Sequence, residues 1–237
     1  MIHGTKQDKI LGQEFSVFLS KKLKKKFSFL TIQRIFGGAS RETYRVVLKD
    51  EDQRTVNFIY RRSQNSSLIE TDQKTEYFAY SDFQETEVPV PTLVALEESS
   101  DVLGAPFMVM EELPGKVASP FDKDAYIPHE AEIGQQFWEI LGKIASHDLS
   151  NSKLRELSKE KTLNNCGKEQ LEYWVEVIRK DSLGVEPILE AAIRQLQRSE
   201  PLPATRLSIV HGDYRNGNFL FEGKQITGIL DWEMAHI

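Results

Sequence analysis

The chain has 237 residues, of which 40% are hydrophobic and 28% charged, and its formal net charge is −6 at neutral pH. This length is sufficient for one large domain or two modest lobes with a packed core. The acidic balance gives the chain no overall basic field, so non-specific binding to nucleic acid is not expected.

The first half of the chain is predicted to form a helix, a five-stranded sheet and one inserted helix. Apolar residues recur at helical spacing over 8–26, and the lysines near its end suit a helix C-terminus. A second helix fits 67–84. Strands are predicted at 29–36, 43–48, 55–61, 92–97 and 106–112. We therefore interpret residues 1–112 as an N-terminal α+β lobe.

Residues 113–237 are predicted to form a second, mostly helical lobe. The segment 148–168 is polar and predicted to be irregular, and two short strands are expected near 218–221 and 226–230. Three apolar stripes at helical spacing predict buried helix faces: Ile133, Phe137, Ile140, Leu141 and Ile144; Leu171, Trp174, Val175 and Ile178; Ile188, Ala192 and Leu196.

The cysteine content and the N-terminal sequence bear on the compartment. Cys166 is the only cysteine, which excludes an internal disulfide and any multi-cysteine metal cluster. The first residues lack the apolar segment of a signal peptide, and no run reaches the roughly 18 apolar residues of a membrane span. We expect a cytoplasmic protein with neither a membrane nor a nucleic acid as partner.

The strongest chemical signal lies between residues 209 and 233. An apolar run leads into His211, Gly212 and Asp213, Asn218 follows, and a second apolar run ends at Asp231. Phosphoryl transfer needs a carboxylate to orient the attacking hydroxyl and hard oxygen ligands to hold Mg²⁺. A lone Asp is usually a turn residue and a lone His a structural one, but this joint pattern is much harder to reach by chance.

A glycine pair between the first two strands is a second, weaker signal. Gly37 and Gly38 would let the backbone approach a phosphate, and Ser40 and Arg41 can donate hydrogen bonds to it. A plain hairpin turn explains the two glycines equally well.

Together these motifs resemble the aminoglycoside phosphotransferase and choline kinase family over roughly residues 30–237. The pattern is most similar to the branch of kinase-like domains related to those fused to acyl-CoA dehydrogenases. The resemblance implies a two-lobed α+β protein-kinase-like fold that binds ATP and Mg²⁺ between its lobes. It also implies transfer of the γ-phosphate to a hydroxyl of a small molecule.

The resemblance assigns roles in the C-terminal motif. Asp213 would accept the proton of the substrate hydroxyl, and His211 would brace the loop. Asn218 and Asp231 would bind Mg²⁺.

The resemblance also assigns roles in the N-terminal lobe. The loop over the ATP phosphates would consist of Gly37, Gly38, Ser40 and Arg41. Arg61 would grip the phosphates where most kinases have lysine, and Glu76, otherwise a plain surface glutamate, would orient it. The hinge that binds adenine would lie at 107–115, with Met110 at the back of the pocket and with Glu111 and Leu113 beside it.

Three questions stay open at this level. The chain ends at Ile237, where family members continue with further helices, so we expect an incomplete C-terminal lobe, in either a fragment or a natural short form. A nucleotide-binding module without turnover is the alternative function, and a protein kinase fits less well. The acceptor is either a cationic compound, such as an aminoglycoside or choline, or a hydroxylated acyl compound, which the branch favours slightly.

Overall fold

The computed structural model describes residues 6–35, 41–63, 73–119, 121–199 and 202–237. Its α-helices are α1 (Lys6–Leu23), α2 (Gln73–Asp82), α3 (Glu130–Ser146), α4 (Lys153–Leu157), α5 (Cys166–Asp181) and α6 (Pro187–Arg198). Its strands are β1 (Ser28–Ile35), β2 (Arg41–Lys49), β3 (Thr55–Ser63), β4 (Leu93–Glu97), β5 (Phe107–Glu111), β6 (Phe219–Glu222) and β7 (Gln225–Ile229).

The first five strands form one antiparallel sheet in the order β1-β2-β3-β5-β4. One face of this sheet is covered by α1. Alternate residues of a strand point to the same side of the sheet, so every second residue faces this helix. Tyr44, Val46 and Leu48 of β2 are buried there together with Phe15 and Leu19 of α1. Each such side chain contributes about 1.5–3 kcal/mol when it is fully buried, so this cluster holds the sheet and the helix together.

Helix α2 belongs to a second core, which includes the C-terminal part of the chain. Tyr80 of α2 and Phe83, the residue after its end, pack in one cluster with Ile140 of α3 and with the fully buried Trp232. At the end of α2, the Asp82 carboxylate accepts hydrogen bonds from the first N–H groups of α4. The helix therefore connects the sheet to the C-terminal segment around Trp232.

The α+β architecture predicted from the sequence is observed, and the predicted strands lie within a few residues of the observed ones. The helix predicted at 67–84 is seen from Gln73, since 64–72 lie outside the described residues. The segment 148–168 was expected to be irregular, and this is wrong in part, because it contains a 3₁₀ turn at Leu149–Asn151, helix α4 and the start of α5. Helix α4 begins where the Ser152 hydroxyl accepts a hydrogen bond from the N–H of Arg155. No helix within the described ranges is long and apolar enough to cross a bilayer.

One predicted core stripe is wrong. Ile188, Ala192 and Leu196 of α6 are exposed, with Ile188 at 87%, whereas Ile193 is buried. Helix α6 contacts α5 through a neighbouring face that is rotated by one residue. The spacing of apolar residues shows that a helix is amphipathic, but packing decides which of two adjacent faces is covered.

Candidate active site

The loop that carries Asp213 depends on a glycine with unusual backbone geometry. Gly212 has φ = +87°, in the left-handed region that residues with side chains rarely adopt. A Cβ atom at this position would lie 2.3 Å from the carbonyl oxygen of Met234. Only glycine therefore lets the Asp213 loop pack directly against the segment that follows Asp231.

His211 is buried and connects the Asp213 loop to the segment around Leu230 and Asp231. Its Nε2 lies 3.0 Å from the carbonyl oxygen of Leu230, and its Nδ1 accepts a hydrogen bond from the N–H of Asp213 at 3.3 Å. This arrangement requires the proton on Nε2. Burial lowers the pKa of His211, while the hydrogen bond to Leu230 opposes that shift. These contacts are compatible with the bracing role that the sequence predicts for this histidine.

Asp213 and Asn218 are joined by direct hydrogen bonds. The Asn218 side-chain N–H donates to Oδ2 of Asp213 at 2.7 Å and to its backbone oxygen at 2.9 Å. Asn218 is buried in a 3₁₀ turn at Asn216–Asn218, immediately before β6. Because its NH₂ group faces Asp213, the amide oxygen is the atom left to face a cation.

Arg215 is a charged neighbour of Asp213 that the sequence reasoning missed. Its Nε lies 2.9 and 3.1 Å from the two carboxylate oxygens. A Cβ at Gly217 would lie 2.3 Å from a terminal nitrogen of Arg215, so a larger residue there would make this flexible side chain shift. The side chain is 59% exposed, so the pair contributes at most about 1 kcal/mol to folding. Its main effect is to place a positive charge beside Asp213.

Asp231 lies just beyond the end of β7 and has a left-handed backbone, with φ = 67° and ψ = 54°. Its N–H donates to the hydroxyl of Tyr80 at 3.1 Å, and its Oδ1 lies 3.1 Å from a terminal nitrogen of Arg61. The preceding N–H, of Leu230, donates to the backbone oxygen of Asn218 at 2.8 Å. These bonds fix the Asp231 segment relative to the Asp213 loop and to the sheet.

Glu76 lies between two arginines in the sheet-side wall of the site. Its Oε1 is 2.6 Å from Arg61 NH1, and its Oε2 is 3.2 Å from Arg41 Nε. Burial raises the pKa of Glu76, and both guanidiniums oppose that rise. Burial alone would lower the pKa of Arg61, but the carboxylates of Glu76 and Asp231 raise it, so Arg61 stays charged. The structure thus brings Arg61, Glu76 and Asp231 together and adds Arg41.

Arg41 is placed differently from the other predicted phosphate contacts. It opens β2, its side chain is 3% exposed, and its guanidinium contacts Glu76 and the Ser63 hydroxyl. A direct phosphate contact by Arg41 stays a prediction. The other predicted loop residues, Gly37, Gly38 and Ser40, lie outside the described residues.

The predicted hinge, 107–115, comprises β5 and the residues after it, which contact β7. Met110 is buried, and the N–H of Glu111 donates to the carbonyl oxygen of Thr92 at 2.9 Å, while the Glu111 side chain is exposed. Leu113 packs over Gly228, where a Cβ would lie 2.4 Å from the leucine Cδ1. Adenine binding by this segment stays a prediction.

One buried donor of Arg61 has no acceptor in the described part of the chain. Its Nε is buried there and makes no hydrogen bond. Leaving a buried donor unsatisfied is costly, and an anionic oxygen such as that of a phosphate would satisfy it. The side chain therefore fits the grip on phosphate that the sequence predicts.

Asp231 and Asn218 fit a magnesium ion that is bound jointly with a nucleotide better than a metal ion held by protein side chains alone. Within the described ranges, no group of three or more His, Cys, Asp or Glu side chains could hold a metal ion. Mg²⁺ is commonly bound by one or two carboxylates together with substrate phosphates and waters. The carboxylate of Asp231 and the amide oxygen of Asn218 are hard ligands of this kind, and the nucleotide would supply the rest.

A family model described as "Phosphotransferase enzyme family" matches residues 31–237. Among curated proteins, acyl-CoA dehydrogenase family member 10 of Mus musculus is 27% identical over 203 residues, and the match covers 84% of this chain. Member 11 of Rattus norvegicus is 25% identical over 150 residues, or 62% of this chain. The chain corresponds to only 18% and 19% of the length of these two relatives.

Solved structures show where the fold belongs. A candidate aminoglycoside phosphotransferase from Ralstonia eutropha JMP134 superposes with a TM-score of 0.67 at 22% identity, covering 94% of this chain and 64% of that one. A thermostable mutant of aminoglycoside phosphotransferase APH(4)-Ia, in complex with AMP-PNP and hygromycin B, gives 0.59 at 17% identity, with 93% and 71% covered. These likenesses confirm the predicted fold.

Proposed function

The chain belongs to the phosphotransferase enzyme family, and we propose that it transfers the γ-phosphate of ATP, with Mg²⁺, to a hydroxyl of a small molecule. The observation that carries this proposal is the connected set formed by the Asp213–Asn218 pair and the Asp231–Arg61–Glu76 chain of ion pairs. Such a set can orient a hydroxyl, hold a metal and grip a phosphate. The AMP-PNP complex of the similar APH(4)-Ia structure supports ATP as donor.

Asp213 is the residue that would act on the acceptor. Its carboxylate would orient the hydroxyl and take its proton as the hydroxyl oxygen bonds to the γ-phosphorus and the bond from that phosphorus to the oxygen of the leaving ADP breaks. The hydrogen bond from Asn218 fixes one of its oxygens, and the one from its own N–H to His211 fixes its backbone. Positioning of this kind accounts for most of the catalysis in phosphoryl transfer.

The phosphate side of the reaction would be handled by three residues. Asn218 and Asp231 would hold Mg²⁺, which neutralises the charge that develops on the transferred phosphate. Arg61 would keep its two terminal nitrogens on Glu76 and Asp231 and offer its remaining donor, Nε, to phosphate, because a planar guanidinium presents several donors at once.

The acceptor is proposed to be a hydroxylated acyl compound. The curated relatives are acyl-CoA dehydrogenase family members, and the positive charge of Arg215 beside Asp213 disfavours a polycationic acceptor. An aminoglycoside or choline is the competing choice, as the solved neighbours are aminoglycoside phosphotransferases.

The single cysteine, Cys166, supports a reducing compartment such as the cytoplasm.

An ADP-release assay with hydroxyacyl and aminoglycoside acceptors tests the proposal, with ATP binding measured in parallel by calorimetry. We expect Asp213→Ala to keep ATP affinity and to lower turnover by about 10³-fold, within the range of a lost general base. Asp101→Ala, in an exposed turn, is the matched control. Full turnover by Asp213→Ala would refute the assignment. ATP binding without transfer to any acceptor would favour a non-catalytic nucleotide-binding module.

A further inference from the structure

Helix α2 contacts the site through two buried side chains that lie one turn apart. Residues four positions apart share a face of a helix, and Glu76 and Tyr80 are both fully buried on that face. Glu76 contacts Arg61 of β3. The hydroxyl of Tyr80 instead accepts a hydrogen bond from the backbone of Asp231. The same helix therefore contacts the arginine proposed to grip phosphate and the backbone of the residue whose carboxylate is proposed to bind metal.

The backbone of Asp231 needs this support because its conformation is unfavourable. Among non-glycine residues a positive φ is uncommon, since the Cβ atom crowds the backbone, and aspartate is one of the few that adopt it when local hydrogen bonds support it. Strand β7 has ended at Ile229, and the Leu230 N–H is used by Asn218, so the ladder offers Asp231 no partner. A buried N–H without an acceptor is costly. The Tyr80 hydroxyl supplies that acceptor at 3.1 Å.

The ring of Tyr80 keeps its hydroxyl in a fixed place. It is fully buried and packs edge-on against Trp232, with ring centroids 6.3 Å apart. Trp232 is itself fully buried and packs against the His211 ring at 4.5 Å. Removal of the hydroxyl alone would leave this aromatic packing in place, so the hydrogen bond can be tested separately from the core.

We propose that Tyr80 is a positioning residue for Asp231: its hydroxyl holds the left-handed backbone from which the carboxylate faces Arg61 and the metal. This inference rests on the proposed function, because it assigns the metal to Asp231. Helix α2 would then have two effects on the site. Through Glu76 it sets the position of Arg61, and through Tyr80 it sets the affinity for Mg²⁺. A phenylalanine at this position would fill the same space and lose the effect.

Two measurements on Tyr80→Phe test this role, with Tyr77→Phe as the matched control on the same helix. The first is the Mg²⁺ concentration that half-saturates binding of a fluorescent ATP analogue. We expect it to rise about tenfold in Tyr80→Phe, as for other residues that orient a metal ligand, with metal-free nucleotide affinity unchanged. The second is hydrogen exchange of the peptide spanning 230–234 without metal, which we expect to accelerate in Tyr80→Phe only.

The outcomes separate this inference from the function it rests on. Unchanged Mg²⁺ dependence together with unchanged exchange in Tyr80→Phe would overturn the positioning role while the wild-type protein still supports the proposed function. A wild-type protein whose nucleotide binding ignores Mg²⁺ would overturn the proposed function and the metal part of this inference. Exchange at 230–234 would still decide whether Tyr80 holds Asp231.

Discussion

Replacement of Glu76 by Gln removes the carboxylate that lies between the guanidiniums of Arg41 and Arg61. All three side chains are nearly inaccessible, with exposed fractions of 0%, 3% and 12%, respectively. Removing one partner of a buried ion pair costs about 3–5 kcal/mol, because the remaining charge stays buried without compensation. Arg61 keeps Asp231 as a partner at 3.1 Å, so we expect the lower end, about 3 kcal/mol.

Thermal unfolding measures this cost directly. For a chain of this size, each 1 kcal/mol shifts the midpoint by roughly 2–4 °C, so Glu76→Gln should unfold roughly 6–12 °C below the wild type. Glu87→Gln is the control, because Glu87 pairs with Lys143 at the surface and is 82% exposed. The control should unfold at the wild-type temperature.

A double-mutant cycle tests whether Arg41 depends on the same carboxylate. Arg41→Gln removes one of the two buried cations, so in the Glu76→Gln background it removes a buried charge that has already lost its contact with the Glu76 carboxylate. The double variant should therefore lose less stability than the sum of the single variants, by about 1 kcal/mol or more. A Glu76→Gln protein that unfolds with the wild type, or strictly additive losses, would refute the ion-pair reasoning.

Two further changes address the catalytic loop. Gly212→Ala should abolish ADP release and lower the temperature of unfolding, because the new Cβ would lie 2.3 Å from a backbone oxygen. Gly134→Ala in α3 is the control and should do neither, because a Cβ there has open space. An active Gly212→Ala protein would contradict the claim that this loop packs too closely for a side chain. Burial lowers the pKa of His211 and of His236, so below about pH 6.5 the unfolded chain binds protons that the folded chain does not. The temperature at the midpoint of thermal unfolding should therefore decrease when the pH is lowered from about 6.5 to about 5.5, and it should decrease less in His211→Gln. An unfolding temperature that stays constant over this pH range would contradict this reasoning.

The sequence predicts well where side-chain periodicity and spacing are sufficient. Strand β2 follows from the alternation that buries Tyr44, Val46 and Leu48 on one face. The Asp213–Asn218 pair follows from a spacing that one tight loop can close, and their side chains do meet at 2.7 Å. The metal and catalytic roles of these residues remain predictions.

Other contacts depend on packing that no local pattern encodes. Arg41 was grouped with the phosphate loop by its neighbours in the sequence, but its side chain turns inward to Glu76, 35 residues away. Tyr80 and Asp231 are 151 residues apart, and a tyrosine in a helix gives no sign that its hydroxyl supports a distant loop. For the same reason the covered face of α6 was assigned wrongly. Amphipathicity limits the choice of faces without settling it.

The central claim is that Asn218 and Asp231 bind one metal ion together with the nucleotide. A crystal of this chain grown with Mn²⁺ and a non-hydrolysable ATP analogue tests it most directly, because Mn²⁺ favours the same oxygen ligands as Mg²⁺ and its anomalous signal locates it. We predict an anomalous peak within about 2.5 Å of the Asn218 amide oxygen and of an Asp231 carboxylate oxygen. Bound nucleotide with Mn²⁺ away from both residues, or with no Mn²⁺, would contradict the account.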